Sequence, residues 1–182
     1  MGFPYYEQEL KQYKNAERKK QILFLSQPMF GKQMSQFAID LAKELGETWH
    51  IVYKLHPEEE GRVWQELYSA LPGAGIQVVR DREKSLYQAL AESEVQIAVN
   101  STAAYEGLGF GLRTYLLDIP GVELMEHLLK DGYARLVGSV GELRDLLAKH
   151  EEEKMWDEEE FFRRNSLKRM TDFIQDMISP KG

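Results

Sequence analysis

The sequence predicts a doubly wound α/β domain on a mainly parallel, six-stranded sheet. Three observations carry that prediction. Short aliphatic and β-branched runs recur at Gln21–Ser26, Trp49–Leu55, Gly75–Val79, Val95–Val99, Arg113–Leu117 and Ala134–Val137. Between them lie segments whose apolar residues fall at helical spacing. The first run, Ile22-Leu23-Phe24-Leu25, is apolar at consecutive positions, the pattern of a strand covered on both faces. Strands alternating with helices are joined by right-handed crossovers, which lay the strands parallel and place helices on both faces.

The helices follow in order. Met34, Phe37, Ala38, Leu41, Ala42 and Leu45 form one stripe, closed by Gly46. Val63, Trp64, Leu67 and Leu71 mark a second, ended by Pro72-Gly73, and Leu86, Ala89 and Leu90 give a brief third. Thr102–Phe110 reads as a helix opened by Ser101, a favoured cap residue. Two more fall near Glu123–Lys130 and Val140–Lys149. The polar stretch Tyr5–Arg18 is a helix or an irregular arm. Over 158–178, Phe161, Phe162, Leu167, Met170, Phe173, Ile174 and Met177 are spaced as a long amphipathic helix, whose stripe must bury on this domain or on a neighbour. The expected division is an arm over 1–19, a Rossmann-like nucleotide-binding domain over 20–150, and a helical extension over 151–182.

Composition narrows the function classes. The 182 residues suffice for one large domain, and the absence of cysteine excludes disulfides and thiolate metal sites. A formal charge of −7 argues against a broad nucleic-acid surface. The acidic runs Glu58-Glu59-Glu60, Glu151-Glu152-Glu153 and Asp157–Glu160 read as solvated helix starts, where carboxylates oppose the positive end of the dipole. No signal peptide and no apolar stretch long enough to cross a bilayer is seen, so a cytoplasmic protein is expected. His50, His56, His127 and His150 lack metal-ligand spacing, and neither metal nor cofactor is expected. Gly-x-Gly-x-x-Gly, the P-loop and the Gly-x-Ser-x-Gly elbow are all missing. Gly107, Gly109 and Gly111 are expected to permit close helix–strand packing.

In doubly wound sheets, ligands bind beyond the carboxyl ends of the strands, where strand order reverses. Two segments there carry candidate chemistry. In Lys54-Leu55-His56-Pro57, the proline keeps His56 out of helical geometry and presents an imidazole able to donate to a phosphate. The alternative is a structural turn; Lys54 adds positive charge nearby if its side chain takes the same face, and none if it takes the other. In Asn100-Ser101-Thr102, hydroxyls and backbone N–H groups at a strand-to-helix turn suit a phosphate, although helix capping explains the same residues. Glu106 lies one turn beyond Thr102, on about the same face, and could accept from ribose hydroxyls; a buried helix-capping or solvent-facing carboxylate is the alternative.

Together with Gly2-Phe3-Pro4 and Leu25-Ser26-Gln27-Pro28, the segments Tyr53–Glu58 and Asn100–Thr102 with Glu106 resemble the carboxyl-terminal, donor-binding half of GT-B-type glycosyltransferases. The likeness is strongest to bacterial surface-polysaccharide enzymes: capsule and polysialic-acid-type transferases and CDP-glycerol glycerophosphotransferases. It covers about residues 1–150 and could extend to the terminal helix. The resemblance implies that His56, Ser101 and Thr102 hold donor phosphates, that Glu106 contacts the nucleoside, and that Gln27, Lys54 and Pro57 line the cleft. It implies a nucleotide-activated sugar or CDP-alditol as ligand. Because such enzymes usually take their base from an amino-terminal acceptor domain, which is expected to be missing here, the catalytic residues are not assigned. Two alternatives stay open: a non-enzymatic interaction module of the same fold, and a sugar-nucleotide epimerase-like domain.

Overall fold

The computed structural model describes residues 3–59, 61–149, 161–162 and 164–178. Its centre is a six-stranded parallel sheet: β1 (Gln21–Leu25), β2 (His50–Lys54), β3 (Gln77–Val79), β4 (Val95–Ala98), β5 (Arg113–Leu117) and β6 (Arg135–Val137). Each strand falls inside a predicted run. Their spatial order is β3-β2-β1-β4-β5-β6, so the winding reverses between β1 and β4. Ile22 pairs with Ile51 on one side and Val95 on the other. All five residues of β1 are buried, the consequence of helices on both faces.

The helices are α1 (Pro4–Gln12), α2 (Gly31–Leu45), α3 (Arg62–Leu67), α4 (Leu86–Ala91), α5 (Ala103–Gly109), α6 (Glu126–Lys130), α7 (Val140–Ala148) and α8 (Ser166–Ile178). Met34, Ala38 and Leu41 of α2 are fully buried, and Gly46 ends the helix at φ +53°, where a side chain would be strained. The second helix stops earlier than its apolar pattern suggested: after Leu67 the chain continues as a turn and a 3₁₀ segment, Pro72–Ala74.

The amino-terminal arm folds as α1 and packs on the core. Tyr6 is fully buried, edge-on to Phe110 and stacked on Phe162 at 4.5 Å. Its ring occupies the space left by Gly109, where an added Cβ would lie 2.7 Å from the phenol Cζ. Gly107 makes the same allowance for Gln96 of β4: a Cβ there would lie 2.6 Å from Gln96 Nε2. Helix α5 thus approaches the sheet closely at Gly107 and the amino-terminal helix α1 closely at Gly109. Gly111 differs; it takes φ +76° in the turn before β5, where Arg18 bonds the Phe110 and Gly111 carbonyls.

At the carboxyl end, Phe161 and Phe162 pack against the core. Leu167, Met170, Phe173, Ile174 and Met177 of α8 are exposed, so the domain itself does not cover that stripe. The rest of the predicted helix, 158–160 and 163, lies outside the described residues, as do the acidic runs 151–153 and 157–160. Among the described residues, no helix is long and apolar enough to cross a membrane.

Candidate functional site at the sheet switch point

A cavity of about 220 Å³ opens beyond the carboxyl ends of β1, β2 and β4, beside the point where strand order reverses. The turn after β2 contributes Lys54, His56 and Pro57; the turn after β4 contributes Ser101, Thr102 and, one helical turn on, Glu106. Ser26 follows β1, and Asp81 follows β3. The two motifs singled out in the sequence therefore meet across β1.

His56 is half-buried. Its Nδ1 accepts the Glu58 N–H at 3.2 Å, which places the proton of the neutral ring on Nε2. Lys54 is only 4 % exposed and its ammonium pairs with the Asp81 carboxylate, so it belongs to the wall of the cavity and not to an opposite face. Ser101 and Thr102 sit where β4 passes into α5. Neither hydroxyl caps α5: Thr102 is the N-cap in helical geometry without a side-chain bond, and Ala104 N–H donates to the Ser101 carbonyl instead. Among the described residues, neither hydroxyl has a hydrogen-bond partner. Helix capping, the alternative to a phosphate role, therefore does not account for these hydroxyls, both of which belong to residues lining the cavity. Helix α5 has seven residues, so its dipole adds little there.

Gln27 and Asn100 are committed to each other. The Gln27 amide donates to Asn100 Oδ1, the Asn100 backbone N–H donates to Gln27 Oε1 at 3.1 Å, and Asn100 Nδ2 reaches the Gly121 carbonyl at 3.3 Å. These bonds tie together the ends of β1, β4 and β5. Gly121, at φ +110°, lets Phe30 pass where a Cβ would be 2.7 Å from the ring.

Glu106 has one carboxylate oxygen, Oε2, buried without a hydrogen-bond partner among the described residues. Burial pushes its carboxyl above the usual range, only partly countered by the Tyr87 hydroxyl beside it. A raised folded-state pKa means that the native protein holds this proton more tightly than the unfolded chain. The associated stability is present below the unfolded value and lost as pH rises through the folded one. Glu106→Gln is therefore expected to raise the melting temperature at neutral pH but not in acid. Because the carboxyl partly reaches solvent, the gain stays below about 1 kcal/mol. Calorimetric melts at pH 4 and pH 7.5 check this; an equal or opposite change at the two pH values contradicts it.

Two residues at this site were not singled out by the sequence: Asp81, which pairs with Lys54, and Glu59. Glu59, placed in a solvated acidic run, is 1 % exposed. Its Oε1 accepts from Ser26 Oγ at 3.0 Å and from the Tyr68 hydroxyl, and its Oε2 accepts the His56 N–H at 2.8 Å. The available signal was its position two residues after His-Pro, where a 3₁₀ turn folds a side chain back. Among the described residues, no three His, Asp or Glu side chains gather as a metal ion requires.

A parallel sheet wound both ways, with a polar crevice where its order reverses, defines the class of α/β domains that take ligands at strand ends. Residues 2–177 match the family described as "Putative glycosyltransferase (DUF6716)", and the chain belongs to that family. No curated protein matches it in sequence. Among solved structures, it resembles a "putative UDP-N-acetylglucosamine 2-epimerase" from Listeria monocytogenes, with 16 % identity and a TM-score of 0.60 over 97 % of this chain and 48 % of that one. It also resembles Acinetobacter baumannii MurG, with 17 % identity and a TM-score of 0.56 over 93 % of this chain and 53 % of that one. At these identities the likeness shows the fold. The chain spans about half the length of each.

Proposed function

We propose that this domain is the donor-binding half of a glycosyltransferase or glycerophosphotransferase of surface-polysaccharide synthesis, and that it holds the phosphates of a nucleotide-activated sugar or CDP-alditol. One observation carries the reading: His56, Ser101 and Thr102, three donors from two separate turns, converge with the Lys54 ammonium on one cavity at the switch point. Family membership supports the transferase class. On this reading residues 1–19 lead into the donor domain, 20–150 form it, and 151–182 extend it. The work is placed in the cytoplasm, where nucleotide-activated donors are made.

The chemistry asked of the site is electrostatic. When the glycosyl or glycerophosphoryl group departs, negative charge grows on the nucleotide phosphate. Fixed donors aimed at that charge lower the barrier because they need not reorganise. His56 Nε2–H and the two hydroxyls are such donors, and Lys54 contributes a positive charge already held by Asp81. Glu106 accepts from the ribose, and Gln27 fixes the turn that presents Ser101. The acceptor and general base belong to a partner half.

Titration of CMP, CDP and UDP against the folded protein, followed by calorimetry or NMR, tests the reading. Saturable binding, tighter for diphosphates than for CMP, is expected; a folded sample that binds none up to millimolar nucleotide overturns it. The exposed apolar face of α8 favours a second reading, an interaction module docked through that helix. That reading gains if light scattering shows association while the titrations show no nucleotide bound.

A further inference from the structure

We propose that Glu59 is a positioning residue for His56, an inference that rests on the donor-phosphate reading of the cavity. The buried Glu59 carboxylate lies beneath the turn between β2 and α3 and is held by groups from three parts of the chain. Ser26, after β1, lies 3.0 Å from Oε1. Tyr68, after α3, donates to the same oxygen. Oε2 takes the His56 backbone N–H at 2.8 Å, and the Glu59 N–H returns a bond to the His56 carbonyl at 2.8 Å. Three donors thus converge on this one carboxylate.

The turn held this way has a chemical result. Once the backbone of His56 is fixed at both N–H and C=O, the next backbone N–H, that of Glu58 (Pro57 has none), falls at 3.2 Å from His56 Nδ1. An N–H donated to Nδ1 leaves Nε2–H as the donor the neutral imidazole can offer a ligand. Glu59 therefore selects the tautomer of His56 without touching the ligand. The rigidity of its seat is visible at Gly31: a Cβ there would come within 3.3 Å of Glu59 Oε1 and closer still to the Tyr68 hydroxyl. Burial pushes the Tyr68 and Tyr53 hydroxyls up, so both stay protonated and Tyr68 remains a donor to the carboxylate.

The test compares Glu59→Ala, Glu59→Gln and Tyr68→Phe with the unaltered protein, reading the His56 ring nitrogens by ¹⁵N NMR at neutral pH and CDP or UDP affinity by calorimetry. The unaltered protein should show the Nε2–H pattern. Glu59→Ala should give a tautomer mixture and a loss of affinity of about tenfold. Glu59→Gln keeps an acceptor for the His56 N–H and turns its amide toward two hydroxyls that can rotate to accept, so it should restore the Nε2–H pattern and most of the affinity. If Glu59→Ala does not fold, Tyr68→Phe, which removes one donor and leaves the carboxylate, should shift the same resonances in the same direction. Unchanged His56 nitrogens in the folded variants overturn the proposal, as does a Glu59→Gln protein that fails to restore them. If the unaltered protein binds no nucleotide, the donor-site reading falls, and the ring nitrogens alone decide the role of Glu59.

Discussion

Replacing Gly107 by alanine is expected to lower the melting temperature by about 10 °C, equivalent to about 3 kcal/mol in a chain of this length. The cause is one methyl group with nowhere to go. It would sit 2.6 Å from Gln96 Nε2 and nearer still to the rest of the amide. Gln96 is fully buried on β4, and its Nε2 donates to the Ala104 carbonyl at 2.7 Å and to Thr114 Oγ1 at 2.8 Å. Its Oε1 has no partner among the described residues, so the two Nε2 bonds are what holds the amide. Displacing it strands buried polar groups, each costing about 1–3 kcal/mol. A thermal melt followed by circular dichroism reads the effect, and a shift under about 2 °C contradicts it. Removing the obstacle should restore much of the loss: Gln96→Ala/Gly107→Ala should be more stable than the sum of the single changes predicts, as expected for side chains in contact.

The second large effect is functional and leaves the fold intact. His56→Ala and Ser101→Ala are each expected to weaken diphosphonucleoside binding by about tenfold to a hundredfold, the range set by one or two charge-assisted hydrogen bonds. Both side chains are partly exposed; within the protein the imidazole accepts the Glu58 N–H and lies 3.9 Å from the exposed Glu58 carboxylate, while the Ser101 hydroxyl bonds nothing among the described residues. Their removal therefore costs the native state little, and melting temperatures should stay within about 2 °C. A variant that loses stability while keeping its affinity would mark that residue as structural.

The contrast between these two outcomes also explains what could be read from the sequence. The six strands were legible because each is a short apolar run between segments of helical spacing, and a strand buried on both faces has little freedom of composition. The direction of the site was legible too, since the carboxyl ends of parallel strands are fixed once the strands are. Strand order was not. It depends on which crossover passes to which side of β1, and no single run encodes that. The sequence placed His56 and Ser101 on turns, and the order put them beside the same cavity.

Side-chain commitments were the other hidden layer. Glu58 and Glu59 are chemically alike and adjacent, yet Glu59 is sealed under the turn because Tyr68 and Ser26 reach it from elsewhere in the chain. Ser101 looked like a cap because a serine before a helix usually is one. Here the helix begins one residue later, with Thr102 already in helical geometry. Lys54 could have pointed to either face, and only the position of Asp81 settles it. Gly107 and Gly109 were legible as packing glycines, although the residues that fill the space they leave were not.

The seat of Tyr6 has a practical meaning for anyone trimming this protein. The ring is a plug from the far amino-terminal end, set into a slot cut by Gly109 and walled by Phe110 and Phe162. Deleting α1 would leave a dry, phenol-sized hole with aromatic sides, a site where small apolar solutes and detergent tails would lodge. A shortened version could bind such molecules well away from the strand-end crevice, so screens of ligand binding should use the chain with its first helix in place.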